Sequence, residues 1–194
     1  MTRAAPILLP DEFNAATYFV DRHLREGRSQ KVAFECEAAA LTYQQLAERV
    51  SRAGNGLRQL GVRVEERVLL LLLDSPEFAV SFFGAIKIGA VPVPVNTLLK
   101  PSDYQYMLNN SRARVMIVSQ PLYPQIQRIP KEKLRYLKYI IVVGEPDEPA
   151  QSLQKKAVIG IKLNHMSAVL QTVPICRGLA RCRTAAQPQV RAHQ

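Results

Sequence analysis

Three places in this 194-residue chain set small polar side chains directly after apolar runs: Asp74 with Ser75, Asn96 with Thr97, and Ser119. Open α/β sheets bind ligands just past the carboxyl ends of their strands, where such hydroxyl, amide and carboxylate groups can orient a small molecule. The same residue types also have local uses, Asn96 as a turn former and Asp74-Ser75 as a helix cap. His23, in DRHL, has the right chemistry for a general base but no paired nucleophile, and reads as a surface residue. Cys176 and Cys182, with His165, lack zinc-ligand spacing, so no metal site is expected. Lys131, Lys133, Arg135 and Lys138 form a basic run around Leu134 and Tyr136. Glu132 interrupts it and no stacking platform accompanies it, which predicts the solvated face of a helix and not a nucleic-acid patch.

The elements that must position these groups centre on Arg67 to Asn96. Val68 to Leu73 is a continuous apolar run closed by Asp74, as expected of a strand covered on both faces. Ser75 then caps a helix with Pro76 at its first position and Glu77 in its first turn, and Gly89 ends it. Val91 to Asn96 is a second extended run, so the stretch is a strand–helix–strand crossover. Upstream, Glu12 to Glu26 is helical in pattern and stops at Gly27, while Lys31 to Glu37 and Ala40 to Tyr43 predict a hairpin. Thr42 and Gln45 have capping-box spacing before a helix whose stripe is Leu46, Val50, Ala53, Leu57 and Leu60. That helix is expected on a sheet face, with Gly54 and Gly56 allowing a close helix–sheet approach. Downstream come a helix from Pro101 with its exit at Asn109 to Ser111, strands at 114–119 and 139–144, and a partly helical stretch at 122–137. The alternation predicts an α/β layered sheet, mostly parallel, with flanking helices.

Charge divides the chain. The whole carries +10, but residues 1–150 hold 19 Lys and Arg against all 16 Asp and Glu, a net +3, whereas residues 151–194 hold seven and no acid. The basicity that would suggest nucleic acid therefore belongs to the end of the chain. Three organisational units follow: an irregular lead-in at 1–11, a domain at 12–145, and a basic tail at 146–194. The tail is expected to be disordered or the product of a frame shift. Three cysteines describe no disulfide framework, which suggests a reducing, cytoplasmic setting. Lys87, Pro92, Pro94 and Asn96 break the apolar stretch between Ala79 and Leu99, so no membrane span is expected.

From Phe13 to about Glu145 the chain resembles the start of the adenylate-forming enzymes, the superfamily of acyl- and aryl-CoA synthetases. LTYQQLAERVSRAGNGLRQLGV at 41–62 and GAIKIGAVPVPVNTLL at 84–99 carry the likeness. FNAATYFVDRHL, ERVLLLLLDSPEF and PVNTLLKPSDYQYMLNNSRARVMIVS are similar to the benzoate–CoA ligases within that superfamily.

The resemblance implies a two-step ligation in which a carboxylate attacks the α-phosphate of ATP and coenzyme A thiol then displaces AMP. The family performs it with a Ser/Thr/Gly-rich phosphate loop followed by Lys, a Thr-Glu magnesium motif, an Asp for the ribose, and a Lys from a mobile C-terminal domain. None of these occurs in the 194 residues, and no catalytic residue carries over. The expectation is an N-terminal fragment inactive alone, needing no cofactor itself, with ATP, Mg2+ and CoA belonging to the parent enzyme. Asn96 and Thr97 would lie near the acyl or nucleotide cleft. A separately encoded remainder is the partner this implies, and a small carboxylate the parent's substrate. The alternative is a non-enzymatic module that binds nucleic acid or an acidic partner through residues 151–194.

Overall fold

The computed structural model describes residues 11–36, 39–144 and 162–165. A π-helical turn, Thr17–Asp21, leads into α1 (Arg22–Arg25), where a single α-helix would have been expected. The hairpin follows as β1 (Val32–Cys36) and β2 (Ala39–Thr42), paired antiparallel. α2 (Tyr43–Gln59) starts with a capping box: the Thr42 hydroxyl accepts from the Gln45 N–H, and the Gln45 side chain accepts from the Thr42 N–H. The reciprocal bonds satisfy two donors that a helix N-terminus otherwise leaves open.

Then come β3 (Arg67–Leu71), α3 (Pro76–Lys87), β4 (Val91–Pro94), α4 (Pro101–Ser111), β5 (Val115–Ser119), α5 (Tyr123–Gln127), β6 (Tyr139–Val143) and β7 (Lys162–His165). The five strands β3 to β7 form one parallel sheet in the order β4-β3-β5-β6-β7. β7 lies within the stretch expected to be a tail, and the remainder of 146–194 falls outside the described residues.

Strand alternation sorts the core into two faces. Leu69, Leu71, Met116, Val118, Ile140 and Val142 pack with Tyr104 and Leu108 of α4 and Tyr123 and Ile126 of α5. Val68, Leu70, Val115, Ile117, Ile141 and Val143 pack with Leu57 of α2 and Ala85 and Ile88 near α3. Apolar residues at successive positions are what burial of both faces requires. A third cluster, including Val20, Leu46, Val50 and Ala53, joins the N-terminal helical segment and α2 to Ala79 and Val80 of α3.

Several local expectations are corrected. α2 contributes Leu57 to the core of the parallel sheet, but its close approach is to α3. A Cβ at Gly54 would stand 3.0 Å from the Gly84 carbonyl oxygen, and one at Gly84 would stand 2.8 Å from the Ala53 Cβ. The glycine therefore serves a helix–helix crossing and not a helix–sheet contact. α4 continues through Ser111, and its exit is Arg112 in the left-handed conformation at φ 55°. The basic run is no helix face: only Lys131–Lys133 forms a 3-10 turn, and Leu134 and Leu137 are buried in the sheet core.

Candidate functional site

Because the sheet is parallel, β3, β4 and β5 all end on one edge, and all three candidate groups lie there. The chain runs from β3 outward to β4, then returns past β3 to β5, so strand order reverses between β3 and β5. Such a reversal opens a crevice at the carboxyl ends of the two strands. Here a hydrogen bond crosses it: the Leu73 N–H donates to the Ser119 Oγ at 2.9 Å, and Ser119 is buried. Ser119 is thus a staple between β3 and β5, with its hydroxyl oxygen already engaged.

Asp74 is exposed and Ser75 half-buried. Ser75 occupies the expected N-cap position in extended backbone, but its side chain makes no capping bond. Instead Asp74 and Ser75 line a cleft of about 280 Å³ with Phe34 and Cys36 of β1 and Phe78 of α3. Ser119, Asn96 and Thr97 are not among its lining residues, so the candidates divide between the two sides of β3.

Asn96 is exposed, and its Oδ1 accepts from the Leu98 N–H at 2.8 Å, closing a tight turn after β4. Thr97 is half-buried. Sequence reasoning missed the residue that fixes this turn. The Tyr104 hydroxyl, in a fully buried side chain of α4, donates to the Asn96 carbonyl at 3.0 Å and accepts from the Leu99 N–H at 3.2 Å. Burial raises its pKa above the ordinary tyrosine value, so it stays a neutral donor. Helical periodicity marks Tyr104 as apolar and carries no sign of where its hydroxyl goes. Tyr104→Phe keeps the ring and removes both bonds; unfolding free energy should fall by about 1–2 kcal/mol. Amide exchange at Leu99 should accelerate in the same variant.

His23 is half-buried and stacks on Tyr43 with ring centroids 3.8 Å apart. Its Nδ1 accepts from Arg28 Nε at 3.0 Å, a bond only the neutral ring can receive at that atom. Burial, then the Arg28 and Arg22 cations, hold its pKa below the usual imidazole value. It is a packing residue with no nucleophile beside it.

A cluster that sequence reading did not single out joins the N-terminal segment to α2 and α3. Lys87 Nζ donates to Asp21 Oδ1 at 2.8 Å and to Ser51 Oγ at 3.1 Å. Asn14 adds a bond from Nδ2 to the Ile86 carbonyl, again 2.8 Å. These contacts span 66, 36 and 72 positions, beyond any local motif.

Among the described residues no three His, Cys, Asp or Glu side chains converge on a metal position. No described helix is long and apolar enough to cross a membrane. Cys176, Cys182 and His193 lie outside the described residues.

Comparison with known proteins gives a family match described as AMP-binding enzyme over residues 20–176. A benzoate–CoA ligase of Thauera aromatica is 43% identical over 143 residues, covering 73% of this chain and 27% of that protein. A 4-hydroxybenzoate–CoA/benzoate–CoA ligase of Rhodopseudomonas palustris is also 43% identical over 143 residues, covering 74% and 26%. Among solved structures, an anthranilate CoA ligase in complex with anthranoyl-AMP superposes with a TM-score of 0.75 at 36% identity, over 86% of this chain and 29% of that one. A benzoate CoA ligase from Burkholderia xenovorans LB400 superposes at 0.67 and 33%, over 87% and 30%. The chain thus spans about a quarter of the length of these curated relatives.

Proposed function

The chain belongs to the AMP-binding enzymes, and on that premise we propose that it is the N-terminal portion of an ATP-dependent carboxylate–CoA ligase acting on benzoate or a related aryl acid. The observation that carries this reading is the 43% identity, over 143 residues, to two ligases whose names include benzoate. In the whole ligase ATP, Mg2+ and CoA would be the co-reactants. The part described here supplies scaffold: a rigid sheet whose Asn96–Thr97 turn, held by Tyr104, would border the acyl or nucleotide cleft.

Residues 1–194 include no Gly-rich Ser/Thr loop followed by Lys and no Thr-Glu pair. Without that loop and its lysine to neutralise departing pyrophosphate, these residues alone should not turn over. The test is AMP release from benzoate, ATP, magnesium and CoA. No AMP above background is expected from the 194-residue chain, and turnover would overturn its inactivity. Mixing it with a polypeptide carrying the later segments of a benzoate–CoA ligase should restore AMP release if the two parts associate into a split enzyme. Failure there, with both parts folded and shown by sedimentation to associate, would count against the ligase reading.

A second reading rests on the charge distribution, with seven basic and no acidic residues in 151–194. Under it that segment binds nucleic acid or an acidic partner electrostatically. Deleting 151–194 should then abolish binding to a mixed-sequence duplex at moderate salt; unchanged binding, or none at the outset, rejects it.

A further inference from the structure

The described sheet ends at β4 with a sequence, Val91-Pro92-Val93-Pro94, in which two of four residues lack an N–H. Which side of the strand those prolines face is fixed by the hydrogen bonds. The Val91 N–H donates to the Glu66 carbonyl at 2.9 Å, and the Val95 N–H to the Leu70 carbonyl at 3.0 Å. In a parallel pair the backbone groups of alternate residues point to the same neighbour. The register Arg67↔Val91 through Leu70↔Pro94 therefore turns Val91, Val93 and Val95 toward β3 and turns Pro92 and Pro94 outward.

The placement has opposite consequences for the two sides. Inward, no proline interrupts the ladder, so β4 pairs with β3 at no cost in hydrogen bonds. Outward, the strand offers the Pro92 and Pro94 carbonyls and no donor at either position. An approaching strand needs an alternation of donors and acceptors, and here it would meet acceptors alone. A shift of these prolines by one residue would break the pairing with β3 and open the edge. Composition cannot distinguish the two cases, but the register of β4 on β3 does.

We propose that Pro92 and Pro94 form a strand-blocking edge that prevents β4 from pairing with a second copy of this chain or with another extended segment. The need is concrete: β4 is partly exposed, with Val91 44% accessible, and an apolar β-branched edge with free backbone groups is a template for association.

The experiment restores the outward donors. Pro92→Thr and Pro94→Thr, singly and together, are compared with the wild-type chain by sedimentation over a concentration series, with far-UV circular dichroism as the check on folding. The double variant should associate where the wild type does not, with about a twofold rise in weight-average mass for a dimer joined through one edge. Pro92→Lys/Pro94→Lys, which restores the same donors beside a charge, should stay at the wild-type mass. Folded threonine variants that keep the wild-type mass at every concentration overturn the proposal. So does wild-type association that the threonine variants leave unchanged. If the double variant does not fold, the folded single variants decide on the same readout.

Discussion

Replacing Lys87 by Met should lower the unfolding free energy by about 2–3 kcal/mol, toward the lower end of what breaking a buried ion pair costs. Asp21 is 6% exposed, and its second carboxylate oxygen, Oδ2, is buried without a partner. Removing the ammonium takes away the carboxylate's ion-pair partner and the bond that the Ser51 hydroxyl accepts, although Ser51 still donates to the Ala47 carbonyl. The Lys87 side chain is 26% accessible, so water screens the pair and the full penalty of a deeply buried break is not reached. The double variant Asp21→Leu/Lys87→Met should recover most of the loss, because two apolar side chains need no pairing. Urea unfolding of the wild type, both single variants and the double variant closes the cycle. A Lys87→Met midpoint equal to wild type would show that the pair contributes only positioning.

The crossing of α2 and α3 is expected to be the other sensitive point. Gly84→Ala would gain about 1 kcal/mol of helix propensity. Against it, the new Cβ would lie 2.8 Å from the Ala53 Cβ, 3.2 Å from the Gly54 nitrogen and 3.3 Å from the Val50 carbonyl oxygen. None of these is the free end of a flexible side chain, so the helices must separate. Overpacking of this kind costs about 1–3 kcal/mol, so after the propensity gain the net loss should be up to about 2 kcal/mol. Gly84→Leu should lose about 3 kcal/mol or more, since the propensity gain no longer grows while the displaced volume does. At Gly54 the nearest atom is the Ile88 Cγ2, at 2.9 Å, which can swing aside, although the Gly84 oxygen at 3.0 Å cannot. Gly54→Ala should accordingly be milder than Gly84→Ala. A Gly84→Ala variant more stable than wild type would mean that the helices part without penalty.

Both predictions concern contacts between segments far apart in the chain, and that separation marks the limit of what sequence reading could reach. The capping box at Thr42 and Gln45, the Pro76 start of α3 and the glycine exits at Gly27, Gly61 and Gly89 were all legible. Each is decided within one turn of backbone: the three glycines adopt φ values of 73°, 80° and 78°, where other residues are strained. Ser75 marks where that locality fails. Its position before Pro76 was readable, but it lines a cleft with residues of β1 and its side chain makes no capping bond.

By itself, then, the sequence determined the alternation of strands and helices, the parallel sheet, the two-faced burial of Val68 to Leu71 and the likeness to the benzoate–CoA ligases. Those properties follow from apolar period, cap residues and short motifs, which act over a few neighbouring positions. The tertiary structure alone decided that Gly54 and Gly84 serve a helix crossing, that Ser119 staples β3 to β5, and that Tyr104 holds the Asn96 turn. It also decided that Lys87 answers Asp21 and that Pro92 and Pro94 face outward. Most depend on a partner tens of residues away or on a strand register, and the Tyr104 bonds, though only eight and five positions long, depend on how α4 folds back over the turn; short-range pattern does not say which backbone will arrive opposite a given side chain.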